Sequence, residues 1–133
     1  MARKITLKGI KKKAHDVFSK YIRRLNSDSS DMCICVTCGA IMPWQEIQNG
    51  HYFKRNRLGT AFHEDNCHPQ CKRCNIFMDG NYTAYAAYMY KKYGTSKVEH
   101  LEYLSRQTLK LTVADYQTLI KGWQIMMEKM NGK

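Results

Sequence analysis

Two Cys-x-x-Cys pairs, Cys35/Cys38 in CVTCG and Cys71/Cys74 in CKRCN, constrain this chain more than any other feature. A CxxC turn presents two sulfurs to one side of a metal ion, and two such turns complete the four-sulfur tetrahedron that zinc prefers. The stretch between Cys38 and Cys71 is longer than the commonest zinc-ribbon gap, which argues for a functional element inserted between two knuckles. Cys33 and Cys67 belong to no CxxC pair and read as buried or incidental thiols. A competing site built on Cys67 or His68 is geometrically less natural. A redox dithiol reading would leave the second knuckle without a purpose.

A chain of 133 residues makes one domain, or one domain with a helical extension, and builds only a modest core. A metal staple therefore contributes usefully to stability. Lys and Arg number 22 against 11 acidic residues, a net charge of +11. Such an excess favours a polyanion: nucleic acid, an anionic membrane surface or an acidic partner. No apolar run reaches bilayer length and the N-terminus carries no signal-peptide core, so no membrane span is expected. Six cysteines without a secretory signal read as metal ligands rather than disulfides. The expectation is a cytoplasmic protein directed at nucleic acid.

Three segments follow from the pattern: a basic N-terminal helix in 1–31, a zinc-bound core in 32–94 and C-terminal helices in 95–133. Ile10, Ala14, Val17, Phe18, Tyr21, Ile22 and Leu25 recur at helical spacing and predict a helix over 10–26. Its other face is strongly positive, with Lys11, Lys12 and Lys13 as candidate phosphate contacts; a merely solvated lysine face fits as well. Between the knuckles, brief strands are expected near 40–43 and 48–54, then a basic loop holding Lys54, Arg55 and Arg57. A helix should begin around 72–75 and run through an Ala/Tyr/Met pattern to Tyr93, with Gly94 as its stop. Ser96 to Glu99 and Thr112 to Asp115 read as capping boxes opening two further helices. Their apolar stripe, including Tyr85, Met89, Leu101, Leu104, Leu119, Trp123, Met126 and Met127, is core or a dimer seam.

The inserted element carries residue types suited to phosphodiester chemistry. Cleavage needs a base for water, a metal to neutralise charge on the scissile phosphate, and cationic donors for the transition state. His51, at an expected strand end after Gly50, suits the base; the Asn75 carboxamide oxygen suits a hard cation such as Mg²⁺. Gly50 leaves room for backbone or substrate to approach. Asn75 directly follows a zinc ligand, so the zinc would fix the separation of base and metal ligand. Arg55 and Arg57 are candidate phosphate clamps, and Lys72 and Arg73 candidate backbone contacts. Asp79, four residues beyond Asn75, is a candidate second ligand or a surface acid. His68 either contacts a phosphate, assists the leaving group or packs. His63 and Glu64 read as loop residues, His15 and His100 as surface positions.

From Cys35 to about Leu104 the chain resembles the NinG/Rap family of phage recombination nucleases. The shared pattern runs CVTCG, NGHY (49–52), Arg55, Phe62, NCHPQCKRCN (66–75), GNYTAY (80–85) and YG. That family is grouped with the HNH, or ββα-metal (His-Me finger), nucleases, and the layout also resembles endonuclease VII. The resemblance implies an α+β, zinc-stapled ββα-metal core with two strands and a helix around the site. It implies His51 as general base, Asn75 as ligand of a catalytic Mg²⁺ or Mn²⁺, and Asn66 as the brace of the loop carrying the histidine. It implies a DNA endonuclease acting on branched intermediates such as Holliday junctions or D-loops, in the host cytoplasm if phage-encoded. Many HNH enzymes carry an Asp directly before the base; here Gly50 stands there, which leaves the metal shell open. A homodimer fits a substrate needing two cuts, although the sequence does not fix the oligomeric state. Two rival readings remain: a sequence-directed HNH nuclease on linear duplex, and a non-catalytic zinc-knuckle nucleic-acid-binding module.

Overall fold

A computed structural model describes residues 4–131; the ends of the first and last predicted segments, 1–3 and 132–133, lie outside the described residues. Helix α1 (Leu7–Leu25) starts earlier than its apolar periodicity suggests, because the Thr6 hydroxyl caps it by accepting from the Gly9 amide at 3.0 Å. It buries Ile10, Ala14, Phe18, Tyr21 and Ile22. Helix α5 (Val113–Asn131) packs the same stripe from the other side with Tyr116, Ile120 and Trp123. The first and last predicted segments thus share one core, which also takes in Cys67.

Four short strands form two antiparallel pairs, β1 (Met32–Ile34) with β2 (Ile41–Pro43) and β3 (Gln48–His51) with β4 (Cys67–Gln70). In the second pair His51 lies opposite Cys67 and Gly50 opposite His68. Alternation of side chains sends Cys67 toward α1 and α5 and His68 toward the other face. On that other face helices α3 (Tyr82–Tyr93) and α4 (Thr95–Ser105) bury Tyr85, Met89, Val98 and Leu101. The β3–β4 pair is therefore held between two helical layers. A single-turn helix, α2 (Leu58–Ala61), lies in the loop joining the strands.

Two expectations need correction. The helix predicted from 72–75 to Tyr93 is interrupted: one wide turn covers Arg73–Phe77, then Asp79, Gly80 and Asn81 all take positive φ before α3 begins. Ser96 does not cap α4; Gly94, at φ 83°, ends α3 and starts α4 directly, so Ser96 falls inside the helix. The second box forms as predicted, with Asp115 accepting from the Thr112 amide at 2.8 Å and Thr112 Oγ1 from the Asp115 amide at 3.2 Å. Most of the C-terminal apolar stripe turns inward, while Met126 stays 43% exposed. Among the described residues no helix is long and apolar enough to cross a membrane.

Candidate active site and metal cluster

The sulfurs of Cys35, Cys38, Cys71 and Cys74 all lie within 4.8 Å of one another, with Cys38 Sγ 3.6 Å from Cys71 Sγ. A tetrahedron with Zn–S bonds of about 2.3 Å places its sulfurs roughly 3.8 Å apart, so the cluster fits a zinc-sized ion. None of these cysteines is in a disulfide. Cys33 and Cys67 are both buried outside the cluster, with their thiols directed at the carbonyls of Arg23 and Ala61. Second-knuckle geometry carries straight into the next turn: the Asn75 amide donates to the Cys71 carbonyl at 2.9 Å.

His51 and Asn75 line one cleft of about 370 Å³, together with Asn49, Lys54, Arg55, Asp79 and Tyr82. The fourth wall is α1, which contributes His15, Asp16 and Ser19. His51 Nε2 sits 2.9 Å from the carbonyl oxygen of Ala61. A carbonyl only accepts, so Nε2 carries the proton and Nδ1 keeps the lone pair. Burial lowers the His51 pKa, Arg55 lowers it further, and the Ala61 carbonyl opposes both; the ring is neutral at pH 7. Asn75 Nδ2 donates to Gln48 Oε1 at 2.9 Å, which leaves Asn75 Oδ1 free to bind a cation. Asn49 also lines the cleft, and its Oδ1 is buried with no hydrogen-bond partner. The Asn75 carboxamide oxygen suits a hard divalent ion there.

Asn66 is fully buried and ties the loop in three places. Its Oδ1 accepts from the Phe53 amide at 2.8 Å, and its Nδ2 donates to the carbonyls of Phe53 (3.0 Å) and Thr60 (3.1 Å). The stretch just after His51 and the turn that supplies the Ala61 carbonyl are thereby locked together.

His68, read from sequence as a candidate catalytic group, is placed elsewhere. It is 2% exposed and does not reach the cleft. Tyr85 donates to the Gly50 carbonyl at 2.7 Å, so its oxygen accepts from His68 Nδ1 at 2.9 Å, and His68 Nε2 accepts from Tyr93 at 2.7 Å. Burial first, then Lys92, lowers the His68 pKa to about 3. Both nitrogens are used, and the ring serves as a link in a chain that ends on the residue before His51.

Gly50 also has a different reason from the expected one. A Cβ there would lie 2.0 Å from Gln70 Oε1 and 2.6 Å from its Cδ. The space an aspartate would occupy is filled by the Gln70 amide, fully buried and donating to Thr37 Oγ1 (3.1 Å) and the Gly80 carbonyl (2.9 Å).

Sequence reasoning missed His15. Its ring lies 6.4 Å from that of His51 and 4.7 Å from Phe62, and burial followed by Arg55 lowers its pKa to about 4. The available signal was helical spacing: Lys8, Lys11, Lys12 and His15 stand at i, i+3, i+4 and i+7, on one face. These four, with Arg55 and Asn56, line a basic trough that shares His15 and Arg55 with the cleft. Lys13 and Arg57 are exposed but lie away from both. Lys72 and Arg73 are exposed beside Cys38 and Cys71. Asp79 stands at the cleft edge, 3.5 Å from Lys54. Arg23, by contrast, is committed to structure, donating to the carbonyls of Ser19 and Trp44.

No curated protein and no solved structure matches the chain. The family model described as bacteriophage lambda NinG protein matches residues 2–132. With a match across nearly its whole length, this chain belongs to the NinG family.

Proposed function

We propose that this protein is a metal-dependent DNA endonuclease of the HNH type that cleaves branched recombination intermediates. In this reading β3, β4 and the turn Arg73–Phe77 are the two strands and helix of a ββα-metal core, and the four cysteines hold a structural zinc. The single observation that carries the proposal is that His51 and Asn75 line one cleft, with the His51 lone pair on Nδ1 and the Asn75 carboxamide oxygen free.

Asn75 would hold a catalytic Mg²⁺ or Mn²⁺. When bound, that ion neutralises charge on the scissile phosphate and the departing 3′-oxygen. His51 Nδ1 takes the proton of the attacking water as a new P–O bond forms opposite the breaking P–O3′ bond. The Ala61 carbonyl holds the imidazole in the acceptor tautomer and stabilises the imidazolium that results. Arg55 faces both histidines and is placed to donate to non-bridging oxygens. The basic face of α1, through Lys8, Lys11 and Lys12, leads the backbone toward the cleft. Preference for branched DNA comes from the family resemblance, as does the recombination setting.

The test is cleavage of matched Holliday-junction, flap and linear duplex DNA, with Mg²⁺ or Mn²⁺ added or omitted. Metal-dependent cutting of branched substrates in preference to linear duplex is expected. Binding without cutting in any metal would instead favour a zinc-knuckle binding module, and equal cutting of a defined site in linear duplex a sequence-directed HNH nuclease.

A further inference from the structure

The turn that carries Asn75 also presents three consecutive apolar side chains to solvent. Ile76 is 53% exposed, Phe77 74% and Met78 46%. Contiguous exposed apolar side chains on a small protein mark a binding surface more often than chance. This one is also rigidly held. Cys74 anchors it in the sulfur cluster, the Met78 amide donates to the Arg73 carbonyl at 2.8 Å, and the Gly80 amide donates to the Cys74 carbonyl at 2.9 Å. The backbone beneath the three side chains is therefore held in place.

Their surroundings narrow the partner. Lys72 Nζ lies 5.9 Å from the Phe77 ring, Arg73 is exposed beside it, and Lys54 lies 5.9 Å from the ring of half-exposed Tyr82 at the cleft rim. An apolar ridge set among cations fits a polymer that offers anionic phosphates and flat apolar faces at short intervals. Bases displaced from a stack have that chemistry, and Phe, Ile and Met are the side chains that wedge between base steps. Phe77 is two residues from Asn75 in the same turn, on the side of Lys72 rather than among the residues that line the cleft. A strand held by one phosphate at Asn75 carries further nucleotides beyond the cleft, and the ridge lies on the same turn.

We propose that Ile76, Phe77 and Met78 form a wedge beside the His51/Asn75 cleft that engages unstacked nucleobases of the strand entering it. This rests on the nuclease reading for the identity of the strand in the cleft. The wedge supplies what the cleft lacks: a reason to prefer DNA whose bases are already unstacked at a branch.

The experiment places 2-aminopurine at the branch point of a Holliday junction and measures binding and fluorescence with Mg²⁺ omitted. Wild type should raise the emission as it binds. Phe77→Ala should lose that rise and bind the junction about ten-fold or more weaker, since base–aromatic stacking is worth that much. Phe77→Trp should restore the affinity. Retention of one zinc per chain in Phe77→Ala confirms that the fold survives. Unchanged affinity and emission in Phe77→Ala would overturn the proposal. So would a change confined to sedimentation or to anionic-vesicle binding, which would assign the ridge to a second protein copy or to lipid. Cutting of the same junction separates the two readings. A Phe77-dependent emission change with no cutting by wild type sinks the nuclease and keeps the wedge. Unaltered cutting and emission in Phe77→Ala sinks the wedge and keeps the nuclease.

Discussion

Gly50 and Gln70 occupy each other's space: the Gln70 amide fills the volume that a side chain at position 50 would need, at 2.0 Å from the ideal Cβ. Gln70 is fully buried and bonded to Thr37 and Gly80, so it has nowhere to retreat. Gly50→Ala should destabilise by about 1–3 kcal/mol, the usual range for overpacking. A fall in melting temperature of roughly 3 °C or more would register it. Gly50→Asp, which introduces the residue that many HNH enzymes carry there, should be worse and should not raise cleavage. An unchanged melting temperature for Gly50→Ala would show that Gln70 yields, and that the glycine has another purpose.

Tyr85→Phe removes the donor to the Gly50 carbonyl and the acceptor for His68 in one change. Leaving buried polar groups unpaired costs about 1–3 kcal/mol. The strand end bearing His51 should lose definition, so turnover should drop while DNA affinity holds. Equal losses in binding and turnover would point to general unfolding instead.

Cys74→Ser and Cys38→Ser should unfold the domain rather than slow it. Structural zinc contributes about 10–16 kcal/mol in small zinc domains, which matches or exceeds the whole stability of an ordinary domain. Circular dichroism and zinc content report the outcome. A folded, metal-free variant would remove the staple from the account.

His68 predicts a pH dependence of stability. Its folded pKa, about 3, lies below the unfolded value of 6.5, so the unfolded chain binds the proton first as pH falls. Its own contribution is unaffected above pH 6.5 and declines below it, by about 2 kcal/mol at pH 5. Urea unfolding of the zinc-loaded protein between pH 7 and 5 should show a slope, and His68→Gln should lessen it, leaving the share of His15 and His51, whose pKa values are lowered in the same direction. The same slope in both proteins would mean that His68 is not held neutral.

The parts of the site that could be read from sequence are those set by local spacing. Cys-x-x-Cys fixes two sulfurs within one turn, and Asn75 inherits its place from Cys74 next to it. The Thr112/Asp115 box is likewise a matter of residues three apart. His51 and Asn75 sharing a cleft follows from the two knuckles meeting, which the paired motifs imply. His15 could not be placed this way, because it reaches the cleft only through the packing of α1 on β3 and α5. The strands Met32–Ile34 and Cys67–Gln70 are too short for alternation to stand out, and Cys67–Gln70 is buried at every position. His68 is chemically indistinguishable from a catalytic histidine until Tyr85 and Tyr93 are seen around it.

The central claim is that His51 takes the proton of the water that attacks a phosphate in the cleft it shares with Asn75. Single-turnover cleavage of a Holliday junction by His51→Ala, in Mg²⁺ and with junction binding measured alongside, tests it most directly. The predicted result is binding within about two-fold of wild type and cutting slower by roughly 10²–10⁴-fold, the usual contribution of a general base. Cutting at the wild-type rate would contradict it.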